Sequence, residues 1–123
     1  MLAILPGAET GVDLADKLAA RFGTRNNGEE KTKARRNKFL MQEAVRAAGV
    51  RAVLQRLCVS PAEVEAFYNS LPEPRICVVK PNESAGSDSV YLCKSQEEAQ
   101  SAFLQVRHSL PGPVTTSPKP VKT

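Results

Sequence analysis

The sequence predicts an α/β fold built as α+β layers, in which helices flank a small mixed or antiparallel sheet. Apolar residues at helical spacing alternate along the chain with short runs rich in β-branched residues. Hydrophobic residues make up 41% of the 123 residues and charged residues 24%, proportions that are typical of a globular domain. Because the apolar runs are too short to cross a membrane and no secretory leader is evident, we expect a cytoplasmic protein without membrane contact.

The first half of the chain is predicted to form a strand, two helices and a second strand. Met1 to Pro6 is a short apolar run that suits a strand. Apolar residues recur on one helical face from Glu9 to Phe22, and Gly23 is typical of the residue that ends such a helix. A second helix is expected from Lys31 to Ala48. Alternating residues from Val50 to Cys58 indicate a strand.

Two capped helices are predicted in the second half. Ser60 precedes Pro61, and a glutamate follows three residues after the serine, which is the pattern of a capping box at a helix start. This helix should end near Leu71. Ser95 opens a second helix with the same pattern, and that helix should run to about His108.

Two strands and a tail complete the prediction. Arg75 to Lys80 contains a β-rich apolar run, and Ser89 to Cys93 resumes as a strand after a polar loop. The cysteines at 58, 77 and 93 all fall in or beside these strands, where we expect buried thiols rather than disulfides or zinc ligands. Prolines crowd the chain after Ser109, which predicts a disordered or extended tail.

One lysine stands where a strand meets a loop of small residues. Lys80 ends the predicted strand, whose backbone would hold the ammonium group as a positioned charge. The small residues that follow leave room for phosphate oxygens near the backbone, and they are Ser84, Ala85, Gly86 and Ser87. An ordinary hairpin with a long polar loop would explain the same residues. A P-loop is excluded, because the loop neither ends in Gly-Lys-Ser/Thr nor opens a helix.

A second basic cluster lies at the start of the helix from Lys31 to Ala48. Lys38 belongs to it, with Arg35 and Arg36 as accessory contacts for an anion. A solvated basic helix face, or weak nonspecific affinity for nucleic acid, would account for the cluster equally simply. The net charge of +4 permits a polyanionic partner without identifying one.

Several motifs occur together in a fixed order along the chain. They are Arg36-Asn37-Lys38-Phe39-Leu40-Met41, Ala48-Gly49-Val50, Val78-Val79-Lys80-Pro81, the run from Ser84 to Val90, and Glu97-Glu98-Ala99 in a capped helix. As an ordered set they resemble the ATP-grasp superfamily, in its carboxylate–amine ligase branch. That branch includes amino-acid and dipeptide ligases and is similar to the ATP-binding domains of carbamoyl-phosphate synthetase. The resemblance extends from about Ile4 to Phe103.

The resemblance implies roles for the matching residues and a division of the chain. Lys38 matches a basic residue that contacts nucleotide phosphates, and Lys80 matches the lysine that reaches the α- or β-phosphate. Residues 84–87 match the loop that covers the phosphates. Residues 1–30 would be the remnant of a preceding domain with a linker, residues 31–107 the N-terminal part of an incomplete ATP-grasp fold, and residues 108–123 the disordered tail.

Two departures from the family pattern bear on activity. The family continues the phosphate loop with Asp-Gly-Val, whereas this chain has Asp88-Ser89-Val90, and a serine is penalised wherever the backbone needs a positive φ. The family takes its Mg²⁺ ligands from a second half of the fold, but the match stops near Val106. We therefore predict no catalytic residue and no metal ligand in this chain, and no ligase turnover by it alone.

The resulting hypothesis is the ATP-binding fragment of an ATP-grasp ligase. Its ligand would be ATP, with Mg²⁺ expected for the family, and its partner a missing C-terminal half or a second copy of the chain. One alternative is a small basic nucleic-acid-binding protein, which is disfavoured because only 5% of the residues are aromatic and none is Trp. Another is a module that docks on a full-length ligase.

Overall fold

The computed structural model describes residues 2–83, 89–110 and 112–118. It divides the chain into two units, Met1–Val50 and Arg51–Thr123, and each is described here by itself. The division predicted from the sequence, with boundaries after residues 30 and 107, stays a prediction. None of the helices in the described ranges is long and apolar enough to span a membrane.

The first unit consists of helices. A single 3₁₀ turn, Glu9–Gly11, leads into α1, Val12–Arg21, and two further helices follow, α2, Thr32–Arg36, and α3, Lys38–Ala47. The predicted strand at the start of the chain is wrong, since residues 2–6 have no regular structure. An isolated apolar run becomes a strand only where another strand supplies hydrogen-bond partners.

The helix predicted from Lys31 to Ala48 is interrupted at Asn37. This residue has extended backbone angles, φ −90° and ψ 113°, and its side chain accepts a hydrogen bond from the Leu40 N–H at 2.9 Å. Asparagine is among the residues that best cap a helix start. The cap therefore ends α2 and begins α3, and it makes Lys38 the first residue of the new helix.

The second unit is a four-stranded antiparallel sheet with two helices. Its elements are β1, Arg56–Cys58; α4, Pro61–Asn69; β2, Cys77–Pro81; β3, Tyr91–Cys93; α5, Gln96–Ser109; and β4, Val114–Pro118. The strand order is β1-β4-β2-β3. This arrangement confirms the predicted fold class of a small sheet with flanking helices.

Both helices of the second unit begin where the capping boxes predict. The Ser60 side chain accepts from the Glu63 N–H at 3.3 Å, and the Ser95 side chain accepts from the Glu98 N–H at 3.1 Å. Each glutamate in turn accepts a backbone N–H from the residue before the cap. These contacts satisfy donors that a helix start otherwise leaves without partners.

The core lies between α4, α5 and one face of the sheet. Cys77 and Val79 alternate with less buried residues along β2, so the buried ones face the helices. The core side chains are Cys58, Val64, Phe67, Tyr68, Leu71, Cys77, Val79, Cys93, Ala99, Ala102, Phe103, Val106 and Val114. The three cysteines are thus free thiols buried in the core, as predicted.

The disorder predicted for residues 108–123 is wrong for β4. Val114–Pro118 is an interior strand of the sheet, and it pairs with β1 on one side and β2 on the other. Its Val-Thr-Thr-Ser run suits a pleated strand, and its one proline stands at the strand end, where the missing N–H matters least. The pairing partners lie far away in sequence, so a reading based on local proline content missed the strand.

Candidate functional site

The face of the sheet opposite the core carries Lys80. Because side chains alternate along a strand, Lys80 and Val78 point away from the face that Cys77 and Val79 share with the helices. Lys80 is paired directly with Thr115 of β4, so both side chains project from the same face. Two strands therefore fix the backbone from which the lysine emerges.

Lys80 is a partly buried cation. Burial alone lowers the pKa of its ammonium group below the usual value. Within the described ranges no carboxylate forms an ion pair with it and no hydrogen bond holds it. A cation that has lost part of its hydration without gaining a counter-charge would be stabilised by an anion at this position.

Thr115 also contacts the end of β2. Its hydroxyl donates a hydrogen bond to the Asn82 side-chain oxygen at 3.2 Å. Thr115 itself is fully buried. The contact places Asn82, two residues after Lys80, on the same face of the sheet. Neither residue was predicted as part of the site, because the prolines around Val114 to Ser117 favoured a tail rather than a strand.

The loop predicted to cover phosphates lies outside the described residues. This applies to Ser84, Ala85, Gly86 and Ser87. The structure resumes at Ser89, which has a positive φ of 60°. Serine therefore occupies a left-handed backbone conformation that favours glycine, at the position where the family pattern has glycine.

The basic residues of the first unit make contacts of their own. The Arg35 guanidinium pairs with the Asp16 carboxylate and donates to the backbone carbonyls of Gly28 at 3.0 Å and Asn27 at 3.1 Å. Arg36 pairs with Glu9 at 3.0 Å. Both arginines thus help to hold the first unit together, and their contact with a ligand stays a prediction. So does that of Lys38, which is partly buried at the start of α3.

Two cavities border the sheet of the second unit. One, of about 460 Å³, lies between β3 and α5, and the other, of about 400 Å³, lies beyond the end of β2 and includes Asn82 and Glu83. Lys80 lines neither of these two cavities. In the first unit a mainly apolar groove of about 560 Å³ has Lys31 and Arg35 at its rim.

The thiols and acidic groups do not form a metal centre in the part of the chain that the structure describes. No group of three or more His, Cys, Asp or Glu residues there could hold a metal ion. Burial raises the pKa of Cys77 to about 12, with Cys93 opposite it as a further cause. Its thiol consequently stays protonated at neutral pH and is a poor nucleophile.

The chain is similar in sequence to one curated synthase. It is 38% identical over 102 residues to dapdiamide A synthase of Enterobacter agglomerans, in a match that covers 82% of this chain and 24% of that protein. The chain therefore spans about a quarter of the length of this relative. No protein-family model matches it.

Solved structures share the fold. The L-amino acid ligase from Bacillus licheniformis has a TM-score of 0.64 at 17% identity, over 89% of this chain and 24% of that one. The RimK domain protein ATP-grasp from Sphaerobacter thermophilus has a TM-score of 0.68 at 14% identity, over 89% of this chain and 41% of that one. At these identities the likeness shows the fold alone, which extends over nearly the whole chain.

Proposed function

Because the chain belongs to the ATP-grasp superfamily, we propose that it is the ATP-binding subdomain of a ligase that joins a carboxylate to an amine. The relatives named as a synthase and an amino acid ligase support this assignment. Since the chain spans 24% of the curated relative, the activity is proposed for a longer ligase, or for an assembly with a second polypeptide or a second copy, in the cytoplasm.

The proposed reaction has two steps. In the complete enzyme a carboxylate oxygen attacks the γ-phosphorus of ATP, which releases ADP and leaves an acyl phosphate. The amine then attacks the acyl carbon, forms the C–N bond and displaces phosphate. This chain contributes binding and orientation of the triphosphate, which is a large part of catalysis in phosphoryl transfer.

The proposal depends mainly on Lys80. It is a partly buried cation, its pKa is lowered by burial, and no described carboxylate pairs with it. We assign it to the α- or β-phosphate. Lys38 and residues 84–87 are further phosphate contacts in the proposal, and Arg35 and Arg36 are accessory ones. Without ATP the lysine is destabilised by its surroundings, so binding is favoured by restoring its counter-charge.

Mg²⁺ accompanies ATP in this superfamily and neutralises phosphate charge. The described residues do not fit a metal site, because no group of three or more potential ligands comes together among them. We therefore assign the metal to no residue of this chain and route no step through it.

Calorimetric titration with ATP tests the assignment. Lys80→Met keeps the aliphatic stem and removes the charge, and we expect the affinity for ATP to fall by about tenfold or more. Lys94→Met is the matched control, because Lys94 is an exposed lysine just after β3 in the same unit. Equal affinity of the Lys80→Met variant and the unmodified chain for ATP would show that Lys80 is not part of the binding site. If neither chain binds ATP, the proposed function is wrong.

A further inference from the structure

We propose that Cys77 and Cys93 are a redox-active pair of thiols, which hydrogen peroxide converts into a disulfide bond between β2 and β3. The inference goes beyond the proposed function and does not depend on ATP binding. It rests on the pairing of the two strands and on a cavity that borders one of the two cysteines.

Strand pairing places the two cysteines side by side. Cys77 and Cys93 are direct cross-strand partners in an antiparallel pair, so both side chains project from the same face of the sheet, and both belong to the buried core. Residues directly opposite each other in such a pair have Cα atoms about 4.5–5.5 Å apart. A disulfide requires a Cα separation of about 4.4–6.8 Å. The strands therefore already provide the backbone spacing that the bond needs.

The two thiols also interact with each other. Burial raises the pKa of both, that of Cys77 to about 12, and the Glu98 carboxylate further raises that of Cys93. A hydrogen bond between the thiols raises the pKa of Cys77 and lowers that of Cys93, as expected when Cys77 donates and Cys93 accepts. The thiolate is thus more accessible at Cys93, which makes it the sulfur that reacts first.

A cavity gives a small oxidant a route to this sulfur. Cys93 is one of the residues that line the cavity of about 460 Å³ between β3 and α5, whereas Cys77 is not. β3 has only three residues, and within the described sheet it pairs with β2 alone. Short edge strands open locally at a lower free energy than interior strands. Hydrogen peroxide can therefore meet Cys93 before it meets the other thiols.

The reaction consumes one molecule of peroxide and two thiols. The Cys93 sulfur attacks a peroxide oxygen and the O–O bond breaks; the released hydroxide takes up the proton lost by the thiol, and a sulfenic acid remains on Cys93. The Cys77 sulfur then attacks the Cys93 sulfur, so that the S–S bond forms, the S–O bond breaks and the hydroxyl leaves as water with the Cys77 proton. The two thiols lose two electrons, and the peroxide is reduced to two molecules of water.

Peroxide treatment of the reduced, full-length chain tests the inference. The remaining thiols are then alkylated in denaturant, and the chain is cut after glutamate residues, one of which, Glu83, lies between the two cysteines. We expect a pair of peptides joined through Cys77 and Cys93, with a mass about 2 Da below that of the two reduced peptides because two hydrogens are lost. Cys58 should be recovered in its alkylated form.

Cys58→Ser is the matched control. Cys58 is as buried as Cys77, but it lies opposite Val114, and β4 separates its strand from β2. This variant should form the same crosslink, whereas Cys77→Val should form none and should accumulate a sulfenic acid at Cys93 that dimedone traps. In the unmodified chain the crosslink should raise the melting temperature by roughly 10 °C, and dithiothreitol should reverse the rise.

Three results would overturn the proposal. The first is that Cys77 and Cys93 are both recovered as free thiols after peroxide treatment. The second is a disulfide that uses Cys58, or a crosslink that forms only in urea, since neither would come from the native strand pairing. The third is an oxidised chain that melts below the reduced one, because the bond would then not fit the native spacing of β2 and β3.

Discussion

Removing β4 should unfold the second unit. A chain that ends after Gly112 loses the strand, whereas a chain that ends after Pro118 keeps it and serves as the matched control. The strand lies between β1 and β2, with three register pairs on one side and five on the other. Its loss would leave β1 without a strand partner, would make β2 an edge strand and would expose the core residues that Val114 covers.

The expected magnitude follows from these contacts. Cross-strand pairs contribute roughly 0.5 kcal/mol each, and burial of a valine such as Val114 contributes about 2 kcal/mol. Together they come to about 6 kcal/mol. A unit of about 70 residues has a free energy of unfolding of roughly 4–11 kcal/mol, so the loss is comparable with the total.

Hydrogen exchange on the amides of β2 is the direct assay, with urea unfolding followed by circular dichroism beside it. In the chain ending after Gly112 we expect β2 amides to exchange at the rate of an unfolded peptide. The control chain should keep their protection. Cooperative unfolding of the shorter chain at the same urea midpoint would refute the assignment of residues 114–118 as a central strand.

Three further predictions concern local features of the chain. Ser89→Gly should raise the free energy of unfolding by about 1 kcal/mol, because serine is strained at φ 60°; a lower urea midpoint would contradict this. Asn37→Ala should cost about 1 kcal/mol by removing the cap of α3, and an unchanged helical signal on heating would argue against it. Burial raises the pKa of Cys77 from 9.0 to about 12. Between these two pH values the thiol ionises in the unfolded chain but not in the folded one. The contribution of Cys77 to stability should therefore be complete below pH 9 and be lost as the pH rises toward 12. Between pH 9 and 12 the unmodified chain should lose about 1.4 kcal/mol more of its free energy of unfolding per pH unit than the Cys77→Val variant. Parallel curves of stability against pH for the two chains would contradict this prediction.

Local signals in the sequence predicted the local structure. The capping boxes at Ser60 and Ser95 place α4 and α5 within a residue of where they begin, because a cap and its helix are neighbours in the chain. Asn37 is also a local cap, but helical periodicity on both sides of it favoured one long helix. The fold class followed from the alternation of these helices with short β-rich runs.

Interactions between distant segments were the ones that the sequence could not show. β4 is a strand because β1 and β2 supply partners on both sides, and no local pattern contains that information. The same holds for the site. Lys80 was predicted because it ends a strand before a loop of small residues, whereas Asn82 and Thr115 become neighbours only after the strands pair.

The Lys80 pKa, measured by NMR of the side chain with and without ATP, is a direct test of the proposal that this lysine binds phosphate. We expect a Lys80 pKa below the ordinary 10.5 in the free chain, since burial penalises the charged form. Added ATP should raise it, because a bound polyphosphate favours the charged ammonium. An ordinary pKa that ATP leaves unchanged would contradict the claim that Lys80 is a buried cation in need of an anion.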